Sequence, residues 1–125
     1  MTKQKTFSTF VKEFKTFLKT NNFYVLDLES TKGIEQMAIF HNAKNIICVH
    51  GAALSNIVFC TPQTRIIELC TPTMSKLLHF SDIAEKCKLD YIRYANLIGS
   101  DDYNSHVTFD MNQAQNLKNL INENN

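Results

Sequence analysis

The chain has 125 residues, of which 44% are hydrophobic and 20% charged, and its formal net charge is +1. This length and composition suit one domain, residues 1–125, with a core of its own. The near-neutral charge argues against a nucleic-acid partner, and no apolar run approaches the roughly 20 residues that span a bilayer. Since the N-terminus also lacks the apolar core of a signal peptide, we expect a cytoplasmic protein.

The first half of the chain alternates helical and extended patterns. Apolar residues at helical spacing predict an amphipathic helix over residues 6–20, ended by Asn21-Asn22. Residues 23–28 (FYVLDL) predict a strand and residues 34–43 a second helix. The apolar run 45–49 (NIICV) predicts a strand buried on both faces. We interpret the lysines of the first helix as a solvated face: Lys3, Lys5, Lys12, Lys15 and Lys19.

The second half continues this alternation. Residues 52–58 predict a short helix, 61–63 a turn and 65–69 (RIIEL) a strand. A helix from Pro72 and Ser75 to Cys87, a strand over 90–95, an irregular stretch over 96–108 and a last helix follow. Asp110 and Gln113 predict a capping box for the last helix. The side chains expected to face inward are Leu77, Phe80, Ile83, Ala84 and Cys87, then Met111, Ala114, Leu117 and Ile121.

The strict alternation of helix and strand predicts an α/β fold. It implies a Rossmann-like parallel sheet of about four strands with helices on both faces. We expect residues 46–49 at the centre of the sheet, because they are apolar on both faces. A doubly wound half-domain usually opens with a strand, whereas this chain opens with a helix, so we expect a preceding part to be missing.

The four cysteines form no CxxC pair. Cys48 and Cys70 lie in or beside apolar runs, where a free thiol behaves as a small hydrophobe. We interpret these two cysteines, and also Cys60 and Cys87, as reduced thiols rather than as a disulfide framework. Their spacing to His41 and His50 matches no zinc pattern, and no convincing Asp-x-Asp is present, so we expect no metal.

The stretch 45–69 carries the chemistry that the residues suggest. A buried strand ends at Val49, and His50, Gly51 and two alanines lead into a helix. Ligands of open α/β sheets bind at the carboxyl ends of strands, and the free N–H groups of a first helical turn favour a phosphate. His50 could donate to a phosphate or sugar oxygen there, and Asn56 could add a polar contact one turn on. A structural histidine after an ordinary strand–helix turn is the alternative.

Glu68 is a carboxylate inside an apolar strand, where a charge is costly without a partner. A carboxylate near the carboxyl end of a strand can accept hydrogen bonds from ribose or sugar hydroxyls. Alternatively, Glu68 is an edge residue paired with Arg65 or with a lysine.

The combined motif resembles glycosyltransferase family 61, which includes bacterial capsular-polysaccharide proteins and eukaryotic transferases. The residues that carry the resemblance are HGAALSN at 50–56, then Phe59, Pro62 and the Ile67-Glu68-Leu69 triplet, preceded by the pair Glu35-Gln36. The resemblance is best over residues 27–69. It implies the C-terminal, nucleotide-sugar-binding half of an inverting, two-domain GT-B transferase.

The resemblance also implies roles for these residues. The diphosphate of a UDP-linked sugar, bound as substrate with no cofactor, would lie against His50, Gly51, Ala52, Ala53 and Asn56. Glu68 would sit near the ribose or sugar, with Gln36 nearby. No catalytic residue is assigned.

The sequence departs from the family pattern in three respects. Ala53 replaces the commoner glycine, Gln63 stands where a turn glycine is usual, and we expect the N-terminal acceptor domain to be missing from this chain. Since the glycan acceptor and the catalytic base would come from that domain, whether the chain is an enzyme alone stays open. Its loss would expose a surface at the carboxyl ends of the strands, through which we expect a homodimer.

Two other functions are compatible with parts of this pattern. A His-Gly turn can form the oxyanion hole of an esterase, but the chain has no G-x-S-x-G motif, and its Ser55 lies in A-L-S-N. A catalytically inactive Rossmann-like interaction module would keep the fold and satisfy His50 and Glu68 internally.

Overall fold

The computed structural model describes residues 7–49, 51–70, 76–94 and 111–122, and for residues 7–12 and 52 it describes the backbone alone. The four α-helices of this part are α1 (Phe7–Thr20), α2 (Gly33–Asn42), α3 (His79–Lys86) and α4 (Met111–Asn122). The two 3₁₀-helices are η1 (Leu28–Ser30) and η2 (Ala52–Phe59). The strands are β1 (Asn45–Val49), β2 (Arg65–Leu69) and β3 (Asp90–Tyr94).

The three strands form one parallel sheet in the order β1-β2-β3. The first residues of the three strands are in register, because Asn45 pairs with Arg65 and Arg65 with Asp90. Every residue of β2 is buried. The parallel, Rossmann-like α/β architecture predicted from the alternation is therefore confirmed.

Helices cover both faces of the sheet. On one face, Ile67 and Leu69 form a core with Leu117 and Ile121 of α4, against which Phe14 and Phe17 of α1 pack. On the other face, Ile66 forms a core with residues of α2, η2 and α3, namely Phe40, Leu54, Ile57 and Ala84. The alternation of side chains along β2 thus divides the domain into two apolar layers.

Two predictions about the sheet are wrong for the described residues. The sheet has three strands rather than about four, because residues 23–27 form no ladder. The backbone N–H of Phe23 instead donates to Leu18 O at 2.8 Å, which closes the C-terminus of α1. β1 consequently lies at an edge, and β2 is central. Glu68 made β2 look less apolar than β1, although β2 is the strand that is buried on both sides.

The first two helices and the strands at 45–49 and 65–69 are confirmed. α1 ends at Asn21 and Asn22, where Asn22 has a φ of 66°, a left-handed conformation that commonly ends helices. Lys15 and Lys19 are exposed, as predicted, whereas Lys3, Lys5 and the side chain of Lys12 lie outside the described part.

The later elements differ in detail. Residues 52–59 form a 3₁₀-helix, and the strand predicted over 90–95 is described as far as Tyr94. α3 starts only at His79, so Leu77 precedes the helix and is 41% exposed rather than inward-facing. Met111 begins α4 and is 88% exposed, because it extends beyond the core that Leu117 and Ile121 reach. Asp110 of the predicted capping box, the irregular stretch 96–108 and the helix start at 72–75 lie outside the described residues.

All four cysteines are free thiols. None of the helices in the described part of the chain is long and apolar enough to cross a membrane.

Candidate functional site

The predicted site lies where β1 and β2 end side by side. Val49 pairs with Leu69, so the carboxyl ends of the two strands lie next to each other. The chain leaves β1 through Gly51 into η2. His50, the central residue of the prediction, lies outside the described residues.

Gly51 directly precedes η2 and has an extended backbone conformation, with φ 166° and ψ −179°. Any residue adopts this conformation, and an added Cβ would meet only the carbonyl oxygen of Val49, at an ordinary 3.8 Å. Neither backbone strain nor local crowding therefore requires glycine here. Its carbonyl accepts the N–H of Leu54 at 3.0 Å, which starts the 3₁₀-helix.

Gln36 and Asn56, both predicted site residues, contact each other. The side-chain amide of Asn56 donates to Oε1 of Gln36 at 3.1 Å and to the carbonyl of Ala53 at 3.2 Å. The amide of Gln36 donates in turn to the carbonyls of Leu28, at 2.8 Å, and Thr31, at 2.9 Å. This network fastens η2 to the start of α2 and to the turn before it. It brings together two predicted residues as mutual partners.

Glu68 is fully buried, and β3 supplies its partners. Nε of Arg93 lies 2.9 Å from its carboxylate oxygen Oε2, which also accepts the hydroxyl of Tyr91. Arg93 stands directly opposite Glu68 in the parallel register. The alternative that Glu68 is an edge residue paired with Arg65 or with a lysine is therefore wrong.

Arg65 belongs to a different ion pair on the opposite face of the sheet. Its Nε lies 2.7 Å from Oδ2 of Asp90, and its guanidinium also donates to the carbonyl of Leu120 in α4. Each of β2 and β3 thus carries a charge at its first and fourth residue, with opposite signs across the ladder.

The Glu68 network shifts the pKa values of its neighbours. Burial, followed by the hydrogen bond to Glu68, raises the pKa of Tyr91, which therefore stays a hydrogen-bond donor at neutral pH. Burial lowers the pKa of Arg93, but its contacts with Tyr91 and Glu68 outweigh that effect and raise it overall. The guanidinium carbon also lies 5.9 Å from the centroid of the Tyr91 ring.

Cys48 lies opposite Glu68 on β1. Burial first, and the charge of Glu68 second, raise its pKa to about 11. Burial likewise raises the pKa of Cys70, with Glu68 adding to it. These thiols are therefore protonated at neutral pH and are poor nucleophiles, which agrees with their interpretation as small apolar side chains.

Tyr91 and Arg93 are the site residues that the sequence analysis missed. A signal for them exists, because RIIEL and DYIRY carry opposite charges at the same two positions of equally long strands. Opposite charges in directly opposed positions stabilise a sheet, so this pattern could have predicted both the register and the partner of Glu68.

A cavity of about 530 Å³ lies at the opposite end of the strands, their amino ends. Its lining includes Lys44, Thr61, Arg65, Lys88 and Asp90. We place the functional site at the carboxyl ends instead, because that is where open parallel sheets bind ligands. No group of three or more His, Cys, Asp or Glu side chains in the described ranges is arranged to hold a metal ion.

A protein-family model matches the first half of the chain. The family model described as Glycosyltransferase 61 matches residues 5–67, which is 63 of 125 residues and half of the chain. The matched range includes Gln36, Asn56 and the turn 50–53, and it ends one residue before Glu68. Neither the curated proteins nor the solved structures contain a match to this chain. The extent of the family match shows that the chain belongs to glycosyltransferase family 61.

Proposed function

We propose that this chain is the donor-binding part of a family 61 glycosyltransferase and that it binds a nucleotide-sugar at the carboxyl ends of β1 and β2. The observation that carries the proposal is the network of Gln36 and Asn56. It fastens η2, which follows β1 in the chain, to the start of α2, within the range that the family model matches.

The turn over residues 50–53 would receive the diphosphate. Gly51 is small at a place where the fold itself does not require glycine, which suits close approach of a ligand to the backbone. The amide nitrogens of Gln36 and Asn56 each donate to two oxygens of the protein. We therefore assign them the task of positioning the turn, and we assign contact with the diphosphate to His50 and to the backbone of residues 51–53.

The ribose or sugar would lie toward Glu68 and Arg93. The side chain of Glu68 is 0% exposed and that of Arg93 is 17% exposed, so Arg93 is the more accessible of the two side chains. Arg93 is charged and suits a donor that carries phosphate oxygens and hydroxyls. Glu68 would then act mainly by holding Arg93 in place.

Transfer of the sugar also needs a catalytic base and a site for the acceptor, and we assign neither to a described residue. We propose a GT-B arrangement in which a second domain supplies the catalytic base and binds a glycan, for example a capsular polysaccharide, as the acceptor. The donor proposed is a UDP-sugar.

The test is calorimetric titration with UDP. Wild type is expected to bind, and His50→Ala to bind more weakly by about 0.5–3 kcal/mol, the range for loss of one hydrogen bond to a neutral or charged group. Glu68→Gln should also weaken binding. Lys88→Ala, at the opposite edge of the sheet, is the matched control and should bind as wild type does. Equal affinity of all four proteins would place the site elsewhere.

A catalytically inactive interaction module is the second candidate function. The observation that favours it is internal satisfaction, because Gln36, Asn56 and Glu68 all hydrogen-bond within the domain. No heat of binding at millimolar UDP, from a folded wild-type protein, would favour this function over donor binding.

For either function we propose a homodimer through the surface at the carboxyl ends of the strands, where Val49 is 40% exposed. Light scattering that gives a monomer mass at high concentration would contradict it.

A further inference from the structure

The free edge of β1 lacks the features that usually protect an edge strand. Among the strands of the described residues β1 pairs with β2 alone, and its sequence NIICV contains no charge and no proline. Natural edge strands commonly carry lysine, proline or a bulge, which discourage further pairing. β1 therefore has the composition of a strand with a neighbour on both sides.

The backbone groups that face this free edge can be identified. The carbonyl of Lys44 accepts the N–H of Arg65 at 2.9 Å and so points toward β2. Since backbone groups alternate in direction along a strand, those of Ile46 and Cys48 also point toward β2, and those of Asn45, Ile47 and Val49 point away from it. These last groups are therefore the ones that a strand added at this edge would pair with.

A groove separates this edge from residues 23–28. Its volume is about 780 Å³, and residues from both sides line it, including Tyr24, Val25 and Leu26 opposite Ile46 and Ile47. Tyr24 is 85% exposed, which is unusual for a large aromatic side chain in a segment of strand-like composition.

The two ends of this segment already lie over opposite faces of the sheet. Phe23 packs against the core on the side of α1 and α4, and Leu28 packs against the core on the side of α2 and η2. An odd and an even position of one strand face opposite sides. Phe23 and Leu28 therefore face opposite sides, as the two ends of such a strand would, although residues 23–27 make no ladder and Leu28 begins η1.

The topology gives the place of such a strand. The steps from β1 through η2 to β2 and from β2 through α3 to β3 run in one direction, with both connections on the face that holds Ile66. α2 lies on that same face, through Phe40. Because parallel crossovers share one handedness, a strand that precedes α2 belongs beside β1, on its free edge.

We propose that residues 23–28 close onto the free edge of β1 as a fourth, parallel strand, in the order 23–28, β1, β2, β3. Gln36 holds the carbonyls of Leu28 and Thr31 and so fixes the end about which the segment closes. Gln36 also holds Asn56, so closure and the position of η2 share one side chain. Closure brings Asp27 to the carboxyl edge of the sheet, on the side where β1 ends.

The test is residue-resolved amide exchange of the ¹⁵N-labelled chain by NMR. The amides of Ile46 and Cys48, which face β2, report that the sheet is folded. Closure predicts that the amides of Ile47 and Val49 are also protected, at least about tenfold beyond an unstructured chain. Exchange of Ile47 and Val49 at the rate of an unstructured chain, with Ile46 and Cys48 protected, overturns the proposal.

Two proline variants identify the occupant of the edge. Successive N–H groups point to opposite sides of a strand, so only one of Val25→Pro and Leu26→Pro removes a donor to β1. One variant should abolish the protection of Ile47 and Val49, and the other should largely keep it. If both variants keep full protection, or if protection disappears on dilution, the edge is covered by something other than residues 23–28, and the proposal is wrong.

Discussion

Nε of Arg93 lies 2.9 Å from the carboxylate of Glu68, and the two residues stand directly opposite each other in adjacent parallel strands. Because Glu68 is fully buried, removal of Arg93 would leave its carboxylate in the core without the opposite charge that faces it across the ladder. We expect Arg93→Met to lower the free energy of unfolding by about 3–5 kcal/mol in urea denaturation. The double variant Arg93→Met/Glu68→Gln should recover at least about 1 kcal/mol of this loss. A loss below about 1 kcal/mol for Arg93→Met would mean that Glu68 is stabilised without Arg93.

The hydrogen bond between Gln36 and Asn56 should contribute a measurable coupling. The double-mutant cycle of Gln36→Ala and Asn56→Ala isolates it from the other bonds that each side chain makes. We expect a coupling free energy of about 0.5–1.5 kcal/mol, the usual range for a neutral hydrogen bond. Strictly additive single effects in the denaturation series would show that the two amides do not stabilise each other. The cycle would then argue against their role in positioning η2.

Alkaline pH should destabilise the domain through Cys48. Its folded-state pKa of about 11 is above the ordinary 9.0, so folding favours the protonated thiol. That contribution is complete below pH 9 and is lost as the pH rises from 9 to 11, with a slope of up to about 1.4 kcal/mol per pH unit. Cys48→Ala should flatten this slope. Ile47→Val, which removes a methylene but no proton, should lower stability equally at every pH, and an unchanged slope in Cys48→Ala would refute the assignment.

Gln63 should be replaceable by glycine with a gain in stability. Its φ of 72° lies in the left-handed region, which costs a residue with a Cβ about 1–2 kcal/mol. Glycine avoids that cost but loses more entropy on folding, so we expect Gln63→Gly to stabilise the domain by about 0.5–1 kcal/mol. Gln63→Ala keeps the Cβ and is the matched control, expected within about 0.5 kcal/mol of wild type. Equal midpoints for the glycine and alanine variants in thermal unfolding would contradict the prediction.

Local periodicity was enough to predict most of the elements. The helices over residues 7–20 and 33–42 and the strands over 45–49 and 65–69 agree with their predicted ranges, because each has an apolar pattern of its own. The order of strands depends on contacts between distant segments. Composition favoured residues 46–49 as the central strand, which is wrong, because the buried charge of Glu68 is visible as compensated only when Arg93 is opposite.

The motif grouped Gln36, Gly51 and Asn56, and the structure brings the amides of Gln36 and Asn56 into contact, with Gly51 directly before η2. That these residues form a ligand site stays a prediction. That Gln36 and Asn56 bond to each other depends on how η2 packs against α2, and side-chain identity alone does not determine this. At Gln63 the family pattern has a turn glycine, and the structure gives a physical reason for it, since Gln63 has a φ of 72°.

The opposite charges on β2 and β3 also determine which pairings the chain must avoid while it folds. With the strands in register, Arg65 meets Asp90 and Glu68 meets Arg93. A shift by one residue would set Glu68 against Ile92 or Tyr94 and would turn the side chains of one strand to the wrong face. Both charged groups of β2 would then be buried without partners, at a cost of several kcal/mol each. The aligned strand pair is therefore separated by a large energy gap from its slipped forms, which keeps the slow assembly of a parallel sheet from stopping in a near-native trap.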